Sequence, residues 1–96
     1  MLQIAFSASM WYWRGPSPFH FVTVPIEDAE TLRAVSGLVT YGWGMVPIRA
    51  RIGHTEWTTS LFPKGGSYIV PIKDAIRKEL GLQVDQVLDI ELTVNV

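Results

Sequence analysis

The chain has 96 residues, 48% hydrophobic and 18% charged, with eight Lys or Arg against nine Asp or Glu and a formal charge of −1. That length suits one small domain spanning residues 1–96, and the near-neutral balance argues against nucleic acid as a partner, since such binders show a clear basic excess. The lack of cysteine excludes disulfides, thiolate metal sites and a thiol nucleophile. No apolar run approaches the roughly 20 residues of a membrane helix, and Met1-Leu2-Gln3-Ile4 has no basic leader-like stretch. The expected address is cytoplasmic, with no membrane partner.

Residues 2–12 alternate, with Leu2, Ile4, Phe6, Ala8, Met10 and Tyr12 on one side and Gln3, Ala5, Ser7, Ser9 and Trp11 on the other. A period of two predicts a strand with one buried face. Trp11-Tyr12-Trp13 forms an aromatic cluster, and Arg14-Gly15-Pro16-Ser17-Pro18 is turn chemistry. Phe19 to Val24 reads as a second strand ended by Pro25, which cannot donate to a ladder. Over residues 27–36 the spacing of Ala29, Leu32 and Val35 predicts a helix, with acids near its start and Gly37 as its stop. Gly42-Trp43-Gly44 reads as a loop leading into the next strand.

Val46, Ile48, Ala50 and Ile52 alternate with Arg49 and Arg51, which predicts a strand with an apolar face and a basic one. Gly53-His54 turns it, and Thr55 to Phe62 answers it, with Trp57, Thr59 and Leu61 on one side. Pro63-Lys64-Gly65-Gly66 is expected to break the chain before a strand over residues 67–72. Lys73 to Leu80 predicts a short helix with Ile72, Ile76 and Leu80 facing the core, Gly81 as a left-handed cap and Leu82 packing back. The last strand alternates Leu88, Ile90, Leu92, Val94 and Val96 with polar residues. The fold class is therefore mainly β: a small closed or partly open barrel of about six strands with two short helices, an α+β sandwich being the alternative.

Several strings are more specific. Trp57-Thr58-Thr59-Ser60-Leu61-Phe62-Pro63, then Gly65 to Lys73, then Ala75-Ile76-Arg77 and Gly81-Leu82, resemble the DUF1905 family of small bacterial and archaeal β-barrel domains. The resemblance extends over nearly the whole chain, through the Trp-rich first hairpin and the Val24-Pro25 junction. It implies a barrel with two short helices, and it implies neither a substrate nor catalytic residues. Where the family commonly has Gly-Asp before the final strand, this chain has Asp85-Gln86, so a positive φ there would fall on Asp85. Residues 68–89 are also loosely similar to the strand–helix–strand element of AbrB-like DNA-binding barrels.

Few residues invite chemistry. His20 and His54 have no spacing that favours a metal site, and they read as structural or exposed. Ser60 and Ser67 lie outside any nucleophile-elbow string. Asp89 and Glu91, two apart on one strand face, could serve a hydrolase or isomerase as a carboxylate pair, though an alternating strand has such a wet side anyway. Lys64-Gly65-Gly66 is no phosphate loop, but its backbone N–H groups could hold a small anion. Four Trp exceed what core filling demands.

Trp11, Trp13 and Trp43 lie near turns, where a pocket mouth would be, with Arg49 or Arg51 as anchors. The function is thus unknown, and the reading is a non-enzymatic domain binding a small molecule or a protein through an aromatic-lined pocket. Candidate contacts are Trp11, Trp13, Trp43, Arg49, Arg51, Lys64, Gly65 and Gly66, with no metal or cofactor expected. A nucleic-acid barrel would instead need Arg49, Arg51, Lys64 and Arg77 on one face.

Overall fold

A computed structural model describes residues 1–39 and 44–96, apart from the side chains of Leu38 and Val39. The elements are β1 (Leu2–Ser9), β2 (Trp11–Trp13), β3 (Phe19–Thr23), α1 (Ile26–Val39), β4 (Val46–Ile52), β5 (Thr55–Lys64), β6 (Ser67–Ile72), α2 (Asp74–Leu80) and β7 (Val87–Val94). The strands form one antiparallel sheet in the order β1-β7-β4-β5-β6-β3-β2, curled into a half-barrel. Its two outermost strands are consecutive in the chain and separated by Met10 alone.

The alternation predicted for residues 2–12 runs unbroken through Met10, while the pairing partner changes. β1 pairs with β7 from Leu2↔Val94 to Ser9↔Val87, and β2 pairs with β3 through Trp11↔Phe21, Tyr12↔His20 and Trp13↔Phe19. At the crossover the Met10 N–H donates to the Gln86 carbonyl at 3.0 Å, and the Met10 carbonyl accepts from the Asp85 N–H at 2.8 Å. The Met10 side chain is fully buried. Asp85 does carry a positive φ, 72°, where the family resemblance suggested that it would. Its short side chain tolerates the left-handed region better than most residues do.

Inward side chains of all the long strands meet in one core. Ile4 on β1, Val22 on β3, Ile48 and Ala50 on β4, Leu61 on β5, Val70 and Ile72 on β6, and Leu88, Ile90, Leu92 and Val94 on β7 belong to it. Ile52 packs against it from the rim. Trp57 is buried in it too, and its indole N–H donates to the Pro71 carbonyl at 3.2 Å. Ala29 and Leu32 of α1 are fully buried, as the spacing required, and α1 packs against β6 and β4. α2 contributes Ile76, and Gly81 closes it at φ 64° while the Leu82 N–H donates back to Arg77 and its side chain joins the core.

Three element ends differ from the sequence reading. α1 continues through Gly37 to Val39, because a glycine stops a helix only when it turns left-handed, and Gly37 does not. β5 continues through Pro63 to Lys64, so only Gly65 and Gly66, at φ 57° and 79°, make the turn. Pro63 is tolerated because β5 has by then left β4, whose last partner is Leu61. β7 stops at Val94, leaving Val96 exposed. The loop read at Gly42-Trp43 lies outside the described residues.

Replacing Met10 by Ala should cost about 2–5 kcal/mol of unfolding free energy, read by urea denaturation, since the methionine fills the point where the sheet ends meet. At Asp85, valine should destabilise by roughly 1–2 kcal/mol, whereas glycine should stay close to the parent protein.

Candidate binding surface: an aromatic outer wall

In an antiparallel sheet with one face packed on a core, the other face is usually polar. One half of this sheet obeys that rule. On the outside of β1-β7-β4-β5 stand Ser7, Asp89, Glu91, Arg49, Arg51, Thr58 and Thr93. The other half, β5-β6-β3-β2, does not. Its registers set Trp11, Phe21 and Pro71 in one outward row, Trp13 and Phe19 in a second, and Thr23, Ile69 and Phe62 in a third.

The outward rings pack on each other. Trp11 and Phe21 have ring centroids 5.2 Å apart, and Phe19 and Phe21 5.6 Å. Phe21 and Ile69 are 9% and 8% exposed yet stand apart from the central core cluster, so their neighbours on the outer wall bury them. The Trp11 indole N–H donates to Thr23 Oγ1 at 3.0 Å, which fixes the ring plane along the wall. Trp13 and Phe62 remain exposed at 43% and 38%. Trp13 also folds back over Gly15, and its ring occupies the space where a side chain at position 15 would begin.

Between these side chains lies a groove. Trp11, Trp13, Phe21, Phe62, Ile69 and Lys64 line a depression of about 360 Å³. It adjoins one of about 470 Å³, reached past Trp11, Lys64 and Gly65 toward Pro25 and Ile26, and one of about 290 Å³ beyond Phe21 and Phe62 toward Phe19 and Pro71. Among the described residues lining all three, Lys64 is the only charged one.

Of the residues singled out from sequence, Trp11, Trp13, Lys64 and Gly65 are brought together here. Gly66 lies in the same turn, but its carbonyl accepts from Arg33 of α1. Trp43 lies outside the described residues. Arg49 and Arg51 are not part of this groove: they project from the polar wall, where Arg51 pairs with Glu91 at 2.9 Å and donates to the Gly53 carbonyl. The reason is register, because Arg49 and Arg51 sit opposite Thr58 and Glu56, on the stretch of β5 that belongs to the other half of the sheet.

The carboxylate pair considered for catalysis stands on that polar wall as well. Asp89 is exposed and accepts from the Ser7 hydroxyl, while Glu91 is held by Arg51. Each acid therefore has its own partner, and both line a shallow outer depression of about 390 Å³. Arg49, Arg51, Lys64 and Arg77 do not converge, since Arg77 lies on α2 beside Asp74. Among the described residues no group of three or more His, Asp or Glu could hold a metal ion, and no helix is long and apolar enough to cross a membrane.

Sequence reasoning missed Phe19, Phe21, Phe62, Ile69 and Pro71 as parts of the surface. A signal was present, because Trp11-Tyr12-Trp13 and Phe19-His20-Phe21 both place aromatics two apart, which puts them on one face of a strand.

The inner face of the same ribbon holds His20, stacked on its cross-strand neighbour Tyr12 with centroids 4.7 Å apart. The ring is half-buried, but its Nδ1 is fully buried and has no hydrogen-bond partner among the described residues. Burial first, and then the Arg77 guanidinium, hold the His20 pKa below the ordinary 6.5, with Asp74 opposing them.

A family model for a domain of unknown function, DUF1905, matches residues 6–92. The chain belongs to the DUF1905 family. The matched span runs from Phe6 in β1 to Leu92 in β7 and includes the aromatic wall, the Met10 crossover and His20. A comparison with curated proteins finds no match.

Two measurements check the site. Gly15→Ala should push the Trp13 ring off its seat and shift its fluorescence maximum without a comparable loss of stability, because Gly15 has no positive φ to defend. His20 should make the fold acid-sensitive. Its neutral form is favoured in the folded state, so its contribution is complete above pH 6.5 and is lost as pH falls from there through the lower folded-state pKa. Thermal midpoints taken across that window should fall less steeply in His20→Phe.

Proposed function

We propose that this DUF1905 domain is a protein-interaction module, and that its aromatic wall receives an extended apolar segment of a partner polypeptide flanked by acidic residues. The observation that carries this reading is the row of adjoining depressions along β2-β3-β6-β5, lined largely by aromatic and aliphatic side chains, with Lys64 the only charged residue among the described ones. Pockets for small molecules enclose most of their ligand, whereas this groove lies open on the outside of the sheet. An elongated occupant can fill such a groove, with Trp13 and Phe62 as exposed anchors and Lys64 answering a carboxylate. Wall rings that are already packed, such as Trp11 on Phe21, lose little freedom on binding.

Peptide-library selection against the purified domain tests the reading. Enriched peptides should carry paired apolar or aromatic residues next to Asp or Glu. Their affinity should drop at least about tenfold in Trp13→Ala and in Phe62→Ala, as expected for interface anchors. Lys64→Glu should weaken acidic peptides in particular. No enrichment, or enrichment indifferent to all three substitutions, would remove the proposal. A screen in which planar aromatic acids bind at the wall while peptides do not would instead favour a small-molecule ligand.

A further inference from the structure

The two faces of the β2–β3 ribbon carry different chemistry on the same short backbone. Outward stand Trp11, Trp13, Phe19 and Phe21; inward, between them in sequence, stand Tyr12 and His20. Tyr12 and His20 share the short backbone of this ribbon with the outward rings, so a backbone shift at Tyr12, itself 39% exposed, carries Trp11 and Trp13 with it. β2 is only three residues long and pairs with β3 alone, so it is the strand most cheaply detached from the sheet.

Around His20 the charged and titratable groups are arranged against a second positive charge. Tyr12 of β2 stacks on the imidazole, and Arg14 stands over the Tyr12 ring, 6.0 Å from its centroid. From α2, the charge of Arg77 disfavours a proton on the imidazole and that of Asp74 favours one, and the Arg77 Nε is itself buried with no hydrogen-bond partner among the described residues. The ion pair between Arg77 and Asp74 is long, 3.6 Å, and its Asp74 end is largely exposed, so it screens Arg77 weakly. From β6, the residue opposite His20 is Ile72, which offers neither charge nor acceptor. A neutral imidazole can leave Nδ1 unprotonated in this setting. An imidazolium must bury an Nδ1–H with no acceptor among the described residues, against the positive charge of Arg77.

We infer that the Tyr12–His20 stack is a proton-operated latch on the aromatic wall: when His20 takes up a proton, β2 separates from β3 and the Trp11–Trp13 side of the groove comes apart. The inference concerns regulation of the surface assigned above and rests on that reading for its biological meaning. Reciprocity follows from linkage, so a peptide bound to the assembled wall holds His20 neutral.

The test is an NMR titration of the domain from about pH 8 to about pH 4.5, the range over which a histidine of this kind ionises. The His20 ring, the Tyr12 and Trp13 amides and the Trp11 indole N–H, now bonded to Thr23, should change together with one midpoint below 6.5. The Trp57 indole, bonded to Pro71 in the core, should hold its position across the same transition. Arg77→Gln should move the common midpoint upward, and His20→Phe should abolish the response of β2 and Trp11. A His20 ring that titrates while the β2 amides and the Trp11 indole stay unmoved would overturn the latch, as would a β2 transition that persists in His20→Phe. These readouts need no ligand, so a failed peptide selection leaves them intact. Where peptides are in hand, binding should weaken about fivefold or more below the midpoint in the parent and stay level in His20→Phe. Equal affinity in the parent on both sides of the midpoint also overturns the latch.

Discussion

Two backbone hydrogen bonds at Met10, one given to Gln86 and one accepted from Asp85, let a single stretch of chain serve both ends of the sheet. Residues on either side keep the same inward and outward phase, yet β1 is committed to β7 and β2 to β3. The Met10 side chain, fully buried, ties that crossover to the core. The left-handed Asp85 is part of the same arrangement, since its N–H reaches Met10 only because the chain turns sharply before β7. The position of Trp11 and Trp13 on the outer wall follows from this crossover, as does the position of Tyr12 and His20 beneath it.

The sheet divides its outer surface into two chemistries. The half built on β1, β7 and β4 is polar and internally compensated, with Arg51 on Glu91 and Ser7 on Asp89. Exposed pairs of this kind add little to stability, but they leave few unsatisfied charges to attract a ligand. The half built on β6, β3, β2 and the end of β5 exposes rings, with Trp13 and Phe62 more than a third open to solvent. Ordered aromatic surface of that kind on a small domain marks an interaction site more often than a packing accident. The presence of Lys64 at its rim gives the surface a polarity of approach.

His20 connects the two sides of that wall. Its Nδ1 and the Nε of Arg77 are the two buried side-chain polar atoms without a hydrogen-bond partner among the described residues, and the charge of Arg77 acts on the His20 ring. A fold that buries its polar groups in pairs nearly everywhere else concentrates the exceptions under the ribbon carrying the exposed tryptophans.

Much of the fold was legible in residue order, because alternation and turn chemistry are local. The phase of residues 2–12, the β4–β5 hairpin, the inward set Leu88, Ile90, Leu92 and Val94, and the Gly81 cap with Leu82 folding back all follow from neighbours within a few positions, whereas the positive φ at Asp85 was raised by the family resemblance alone. The candidate surface was legible only in part. Trp11, Trp13 and Lys64 could be named, but Arg49 and Arg51 were grouped with them, because residue order does not say which half of a curled sheet a strand's outer face looks from. Phe21, Phe62, Ile69 and Pro71 join the wall through ladder registers between segments distant in sequence, and the His20–Arg77 neighbourhood forms because α2 lies near β3. Local sequence determined which side chains face together along each strand. Tertiary pairing decided which strands stand side by side, since that choice is made by the closure of one shared core and not by any single segment.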